Sequence, residues 1–242
     1  MTIETDRRIA VEHTRPDFSR QLLNAFPELV ADIGPDPLHP ALYYQDCELG
    51  GALCAPAIEA EILRMAVRLL QPAVALEVGS YVGWTAAHIA AGLGDRGLLV
   101  CLDTLTECKD ADACERRFWG NLQRAGLARR VRLVRGKSPD DLPTVVTYPL
   151  HFAFLDGEHM GAAPLKDVQG LESLMALHGV IALHDTWMKG VAGAVTWLQG
   201  QRWTVQVFDT PARLAFAYIA KPRNWHVFEA EVNELLRDHN NT

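Results

Sequence analysis

The chain has 242 residues, nearly half of them apolar, and a formal charge of −7, a length and composition suited to one large α/β domain with extensions. No dense Lys/Arg cluster accompanies that charge, which argues against nucleic acid or an anionic membrane as partner and favours a small molecule. The start, MTIETDRRIAVEHTRPDF, lacks the apolar core of a signal peptide, and no segment offers the roughly 18 apolar residues of a membrane span, so a cytoplasmic protein is expected. The five cysteines, Cys47, Cys54, Cys101, Cys108 and Cys114, form no C-x-x-C pair and read as thiols rather than a disulfide framework or zinc site.

In chain order, Phe18 to Ile33 has a helical apolar rhythm, and the proline-rich GPDPLHP (Gly34 to Pro40) predicts a loop or lid after it. Ala55 to Pro72 predicts an amphipathic helix that stops at Pro72. Strand-like and helical runs then alternate. AVALEV (Ala73 to Val78) precedes a helix from about Thr85, and GLLVCLD (Gly97 to Asp103) precedes one around Cys114 to Gly126. VRLVRG (Val131 to Gly136) precedes a short helix near SPDDL, and LHFAFLD (Leu150 to Asp156) precedes a helix to about Leu177. GVIALHD (Gly179 to Asp185) comes before a helix near GVAGAVTWLQ. Repeated βα units with continuous apolar strands predict a doubly wound Rossmann-like sandwich on a mostly parallel sheet. RWTVQVFD and ARLAFAYIAK are joined too closely for a parallel crossover, so an antiparallel hairpin should close the sheet. The last segment, from Trp225, reads as a solvent-facing helix with a frayed tail. The expected organisation is a helical and lid segment over 1–54, the α/β domain over 55–222, and a terminal helix over 223–242.

Ligands of open α/β sheets bind beyond the carboxyl ends of the strands, and the chemistry-bearing residues fall there. Gly79 and Gly83 flank a turn into a helix, where backbone can approach a ligand and free N–H groups face it. The spacing is G-x-x-x-G, neither the dinucleotide fingerprint nor a P-loop. Glu77, just before the turn, would repel a pyrophosphate and welcome a cation. Asp103 ends the next strand, where such folds place an acid on ribose hydroxyls. A ligand with an amino-acid end and a nucleoside fits this pattern better than a dinucleotide.

The motif LEVGSYVGW with Asp103, followed by FLDGEHM and GVIALHDT, resembles class I S-adenosylmethionine-dependent methyltransferases. More narrowly, it is similar to the small metal-dependent O-methyltransferases of the catechol and caffeoyl-CoA type and to related bacterial families acting on sugars and natural products. The likeness runs from about Leu53 to Thr186. It implies that Glu77, Gly79, Ser80, Tyr81, Gly83, Trp84 and Thr85 line the methionine part of the cofactor, that Asp103 takes the ribose hydroxyls, and that Ser138 lies near the adenine. It also implies a divalent ion on Asp156, His184 and Asp185, holding and acidifying a substrate hydroxyl.

The chain departs from the catechol-type pattern at two points. His184–Asp185 stands where those enzymes have Asp-Asn; an added imidazole shifts preference from magnesium towards manganese, iron, cobalt or zinc, or else His184 is no ligand. His159 stands where they carry a catalytic lysine, and an imidazole can accept a hydroxyl proton near neutrality. Glu158 is either support for the cluster or simply exposed. The expected function is O-methylation of a small hydroxylated natural product, sugar or aromatic. An N-methyltransferase, a metal-assisted hydroxylase-like relative and a non-catalytic cofactor-binding accessory protein are the rival readings. The terminal helices either join two subunits in a homodimer or fold back on their own domain.

Overall fold

The structure, a computed structural model, describes residues 17–27, 29–32, 41–44, 54–107, 110–146 and 149–240. Its helices are α1 (Asp17–Leu23), α2 (Ala57–Leu70), α3 (Trp84–Gly92), α4 (Ala111–Arg124), α5 (Leu142–Val145), α6 (Ala163–Glu172), α7 (Lys189–Gly200) and α8 (Trp225–Asn240). Its strands are β1 (Leu29–Asp32), β2 (Ala41–Tyr44), β3 (Val74–Val78), β4 (Leu98–Asp103), β5 (Val131–Arg135), β6 (Leu150–Leu155), β7 (Met175–Leu183), β8 (Thr204–Val207) and β9 (Ala215–Tyr218).

Seven strands form the main sheet in the order β5-β4-β3-β6-β7-β9-β8. The first five are parallel, and β9 runs antiparallel to both β7 and β8. This is the expected doubly wound sandwich with its closing hairpin. Strand side chains alternate between two cores, as the pleat requires. Ala75, Leu99, Phe152, Phe154, Val180 and Ala182 face the core shared with α2, α3 and α8. Leu76, Val100, Ala153, Ile181 and Leu183 face the opposite core, shared with α6 and α7. Among the described residues no helix is long and apolar enough to cross a membrane.

Three local expectations are corrected. The helical rhythm of Phe18 to Ile33 yields a helix only to Leu23, and Leu29–Asp32 instead pairs antiparallel with Ala41–Tyr44; Pro27 removes a backbone donor and turns the chain. The predicted loop Gly34 to Pro40, with Cys47 and Cys108, lies outside the described residues. The helix predicted to reach Leu177 ends at Glu172, and β7 begins at Met175. The last helix is not simply solvent-facing: Trp225, Phe228, Val232 and Leu236 recur on one face and enter the first core, so that face is used within the chain.

The core also holds a histidine. His88 of α3 donates from Nδ1 to the Trp84 carbonyl at 3.0 Å and accepts at Nε2 from the Ser19 hydroxyl of α1 at 2.9 Å. Burial pushes its pKa down to about 3, so the neutral ring belongs to the folded state. Between the unfolded value of about 6.5 and that folded value, the unfolded chain binds more protons, and stability falls as pH falls. Wild type should therefore lose urea resistance more steeply than His88→Gln between pH 6.5 and 4.5, by up to about 1.4 kcal/mol per pH unit. Parallel slopes in paired urea titrations would contradict this assignment.

Candidate active site

The register of the sheet places four residues in one row. Val78 pairs with Leu102 and Leu155, and Leu155 pairs with Leu183, so the next residues, Gly79, Asp103, Asp156 and His184, stand level across four strands. Backbone hydrogen bonds continue through that row: Gly79 N–H to Leu102, Asp156 N–H to Val78, and His184 N–H to Leu155. The row floors a cavity of about 730 Å3 whose lining includes Gly79, Tyr81, Asp103, Ser138, Asp156, His159, His184 and Asp185.

One half of the cavity is the glycine turn. Gly79 has φ +83°, and a Cβ there would overlap the carbonyl of Asp156; only glycine lets the two strand ends lie this close. The Asp103 carboxylate holds the turn from the next strand. Its Oδ2 accepts the N–H groups of Ser80 (2.5 Å) and Tyr81 (2.7 Å), and its Oδ1 accepts that of Leu105 (2.6 Å). Asp103 is thus a clamp on the turn as well as a wall of the cavity.

Several residues expected to line the methionine side stand behind the turn instead. Glu77 is fully buried, accepting from the Thr85 hydroxyl (2.5 Å) and the Cys101 thiol (3.2 Å), and burial pushes its carboxyl up to about 7. It joins strand to helix rather than presenting charge to the cavity. Trp84 packs edge-on against Phe26 and His88. Gly83, at φ +89°, caps α3 beneath the Phe118 ring, and Ser80 is buried. None of these five is among the cavity-lining residues. Gly79 and Tyr81 are, with Tyr81 itself in the left-handed region at φ 45°. On the far side Ser138 is joined by Asp167, whose carboxyl burial pushes up; sequence reasoning missed Asp167, which has no motif around it.

The other half is the cluster Asp156, His159, His184 and Asp185, each offering an atom within 4.8 Å of all the others. His159 Nε2 lies 3.2 Å from Asp156 Oδ1 and 3.5 Å from Asp185 Oδ2. His184 Nδ1 lies 2.9 Å from Asp156 Oδ1 and 3.3 Å from Asp185 Oδ2, yet it is buried without an aligned hydrogen bond to either. Its Nε2 is engaged at 2.6 Å by Glu59 of α2, a residue no motif announced. Asp185 adopts φ 53°, a left-handed conformation uncommon outside glycine and met at functional sites, and its Oδ1 accepts the Trp187 indole N–H at 2.7 Å. Glu158 is exposed and accepts the Met160 N–H, so it shapes its own turn rather than supporting the cluster.

The electrostatics follow from this crowding. Burial opposes charge on Asp156 and Asp185, but the neighbouring imidazoles hold both below the usual carboxylate range. Burial likewise opposes protonation of His184, but the carboxylates of Asp156, Asp185 and Glu59 hold it well above the usual imidazole range. The hydrogen bond to Asp156 raises His159. Carboxylates gathered around inward-facing imidazole nitrogens call for positive charge at their centre. The donor set, two carboxylates with imidazole nitrogen and an orphaned Nδ1 among them, fits a divalent ion.

Known proteins resemble this chain in sequence and in fold. Residues 76–186 match the family model for a methyltransferase domain. A catechol O-methyltransferase of Mycobacterium tuberculosis is 32% identical over 127 residues, covering 52% of this chain and 55% of that protein; the chain thus matches about half the length of this curated relative. The fold is shared with TomG of Streptomyces achromogenes, an O-methyltransferase involved in tomaymycin synthesis and solved with SAM (TM-score 0.61, 18% identity, 88% of this chain and 92% of that one). It is shared too with an O-methyltransferase of Bacillus cereus solved with SAH (TM-score 0.60, 16% identity, 86% and 91%).

The close approach at Gly79 gives a direct test of the row. Gly79→Ala should destabilise the protein by about 1–3 kcal/mol or more, from strain at positive φ together with the clash, seen as a lower urea midpoint. An unchanged midpoint would mean that the turn and the Asp156 backbone are not locked together.

Proposed function

We infer, from a class I methyltransferase fold and a methyltransferase domain matched in its central segment, that this protein transfers a methyl group from S-adenosylmethionine to a hydroxyl of a small molecule, with a divalent ion at the acceptor. The observation that carries the reading is that one cavity joins the glycine turn with Asp103 to a metal-competent cluster containing an open imidazole.

Gly79 and Tyr81 would face the methionine portion of the cofactor, Asp103 the ribose and Ser138 the adenine. Bound there, the cofactor supplies a methyl already activated on a sulfonium; an ion on Asp156, His184 and Asp185 would lower the pKa of the acceptor hydroxyl. The protein then has to align the acceptor, remove its proton and exclude water. His159 is the more open imidazole, its side chain 25% exposed against 7% for His184, so it is the group placed to take the hydroxyl proton. Its loop is fixed from behind, because Gly190 of α7 packs against the His159 carbonyl with no room for a Cβ.

The acceptor is best read as a flat or partly apolar hydroxylated compound. Met160 and Trp187 are 67% and 60% exposed, and they sit one and two residues from His159 and Asp185. Large apolar groups left open beside a polar cluster suit an aromatic ring or a sugar face.

Chelation should abolish methyl transfer while leaving S-adenosylmethionine binding by calorimetry intact, and manganese, iron, cobalt or zinc should restore activity better than magnesium. Full activity in protein shown by metal analysis to be metal-free would remove the ion from the reading. Separately, His159→Ala should lower kcat by about two to four orders of magnitude at neutral pH, measured with saturating cofactor. Retention of wild-type turnover would exclude His159 as the base.

A further inference from the structure

We propose that Glu59 is a positioning residue for the metal site, holding His184 in the one tautomer and orientation that present Nδ1 to the ion; this rests on reading Asp156, His184 and Asp185 as ligands. Glu59 lies in the first turn of α2, fully buried, and reaches across to a strand end far along the chain. A carboxylate removed from water is tolerated only where donors meet it, and two do. Oε1 accepts the Ala212 N–H at 2.7 Å, and Oε2 contacts His184 Nε2 at 2.6 Å.

These contacts decide where the His184 proton resides. The Ala212 N–H can only donate, which commits Oε1 as an acceptor. If Nε2 carries the proton, it donates to Oε2 and every partner is satisfied. If Nε2 carried none, its lone pair would face the Oε2 carboxylate oxygen at 2.6 Å, two electron-rich atoms in repulsive contact. The neutral ring therefore keeps its proton on Nε2 and its lone pair on Nδ1. Nδ1 lies 2.9 and 3.3 Å from Asp156 Oδ1 and Asp185 Oδ2, three electron-rich atoms gathered in one place, which suits a cation. The Phe154 ring packs edge-on beside the imidazole, with centroids 6.1 Å apart.

A carboxylate behind a ligating imidazole fixes the ring and makes its free nitrogen a better donor, and losing it commonly costs about 10–100-fold in metal affinity. Glutamine cannot serve both contacts at position 59, because its amide NH2 would oppose either the Ala212 N–H or the His184 Nε2–H.

The test uses the full chain, with manganese alone as the probe. In calorimetry Glu59→Gln should bind manganese about 10–100-fold more weakly than wild type, with S-adenosylmethionine affinity unchanged. In a His184→Ala background the same substitution should have no further effect on manganese binding. An unchanged affinity in Glu59→Gln overturns the proposal, as does an equal loss in both backgrounds, which would mark a structural role. A wild type that binds no manganese, cobalt or zinc removes the metal reading itself, and this inference with it. Should Glu59→Gln fail to fold, wild type decides. Cobalt-loaded protein should show a hyperfine-shifted, slowly exchanging imidazole N–H in its proton spectrum, the shielded Nε2–H of a ring bound through Nδ1. Its absence would overturn the proposal.

Discussion

The space that a side chain would need at position 79 is filled by the backbone of Asp156, and the arrangement of the site follows from that exclusion. Neighbouring parallel strands end in register, so the residue leaving β3 and the residue leaving β6 compete for the same volume. Glycine resolves the competition. The turn that follows β3 can then bend over the sheet edge, where the Asp103 carboxylate collects its N–H groups, while the chain beyond Asp156 departs the other way carrying His159. Two loops with different tasks meet at a contact less than one side chain wide. The glycine-turn half and the acid–imidazole half of the cavity are thereby held together by backbone rather than by flexible side chains.

The second organising feature is charge. Carboxylates from α2, β6 and the turn after β7 surround two imidazoles in a region mostly withdrawn from water. Such a group is costly unless positive charge sits within it, and the imidazoles supply that charge when protonated. A divalent ion would supply it in the same place. The cluster is therefore not an ordinary set of surface acids, and the left-handed backbone at Asp185 is what aims Oδ2 inward while Trp187 occupies Oδ1.

Much of this was readable from the residues. Unbroken apolar strands, each closing on an acid or glycine, announce a parallel sheet with its chemistry at one edge, and the resemblance singles out Asp156, His159, His184 and Asp185. What escaped notice depends on contacts between distant segments. Glu59 lies in a run with a convincing helical rhythm, and nothing nearby says that its carboxylate meets a histidine from the other half of the chain. A clue existed: Glu59 sits among buried apolar residues, and His184 continues the alternation of Val180 and Ala182, so both face the same core. The resemblance puts Trp84 and Glu77 on the ligand side of the turn, yet a turn has two sides and local sequence does not distinguish them. Leu29–Asp32 is hidden by a periodicity that Pro27 interrupts, and α8 reads as solvent-facing because its polar face is conspicuous and its apolar face is spaced by threes and fours.

The reversed last strands carry one further consequence. In a wholly parallel sheet, every chain entering a strand does so at the edge away from the ligand. Because β9 runs against β7, its start pairs with Leu183, and the connection from Phe208 to Leu214 emerges beside the cluster. There it contributes the Ala212 N–H to Glu59 and the Arg213 carbonyl to the Thr186 hydroxyl. Inverting a strand thus delivers an additional loop to the working rim without widening the sheet. Changes of length in that connection offer a route by which such a scaffold can diversify what it admits while its parallel ladder stays as it is.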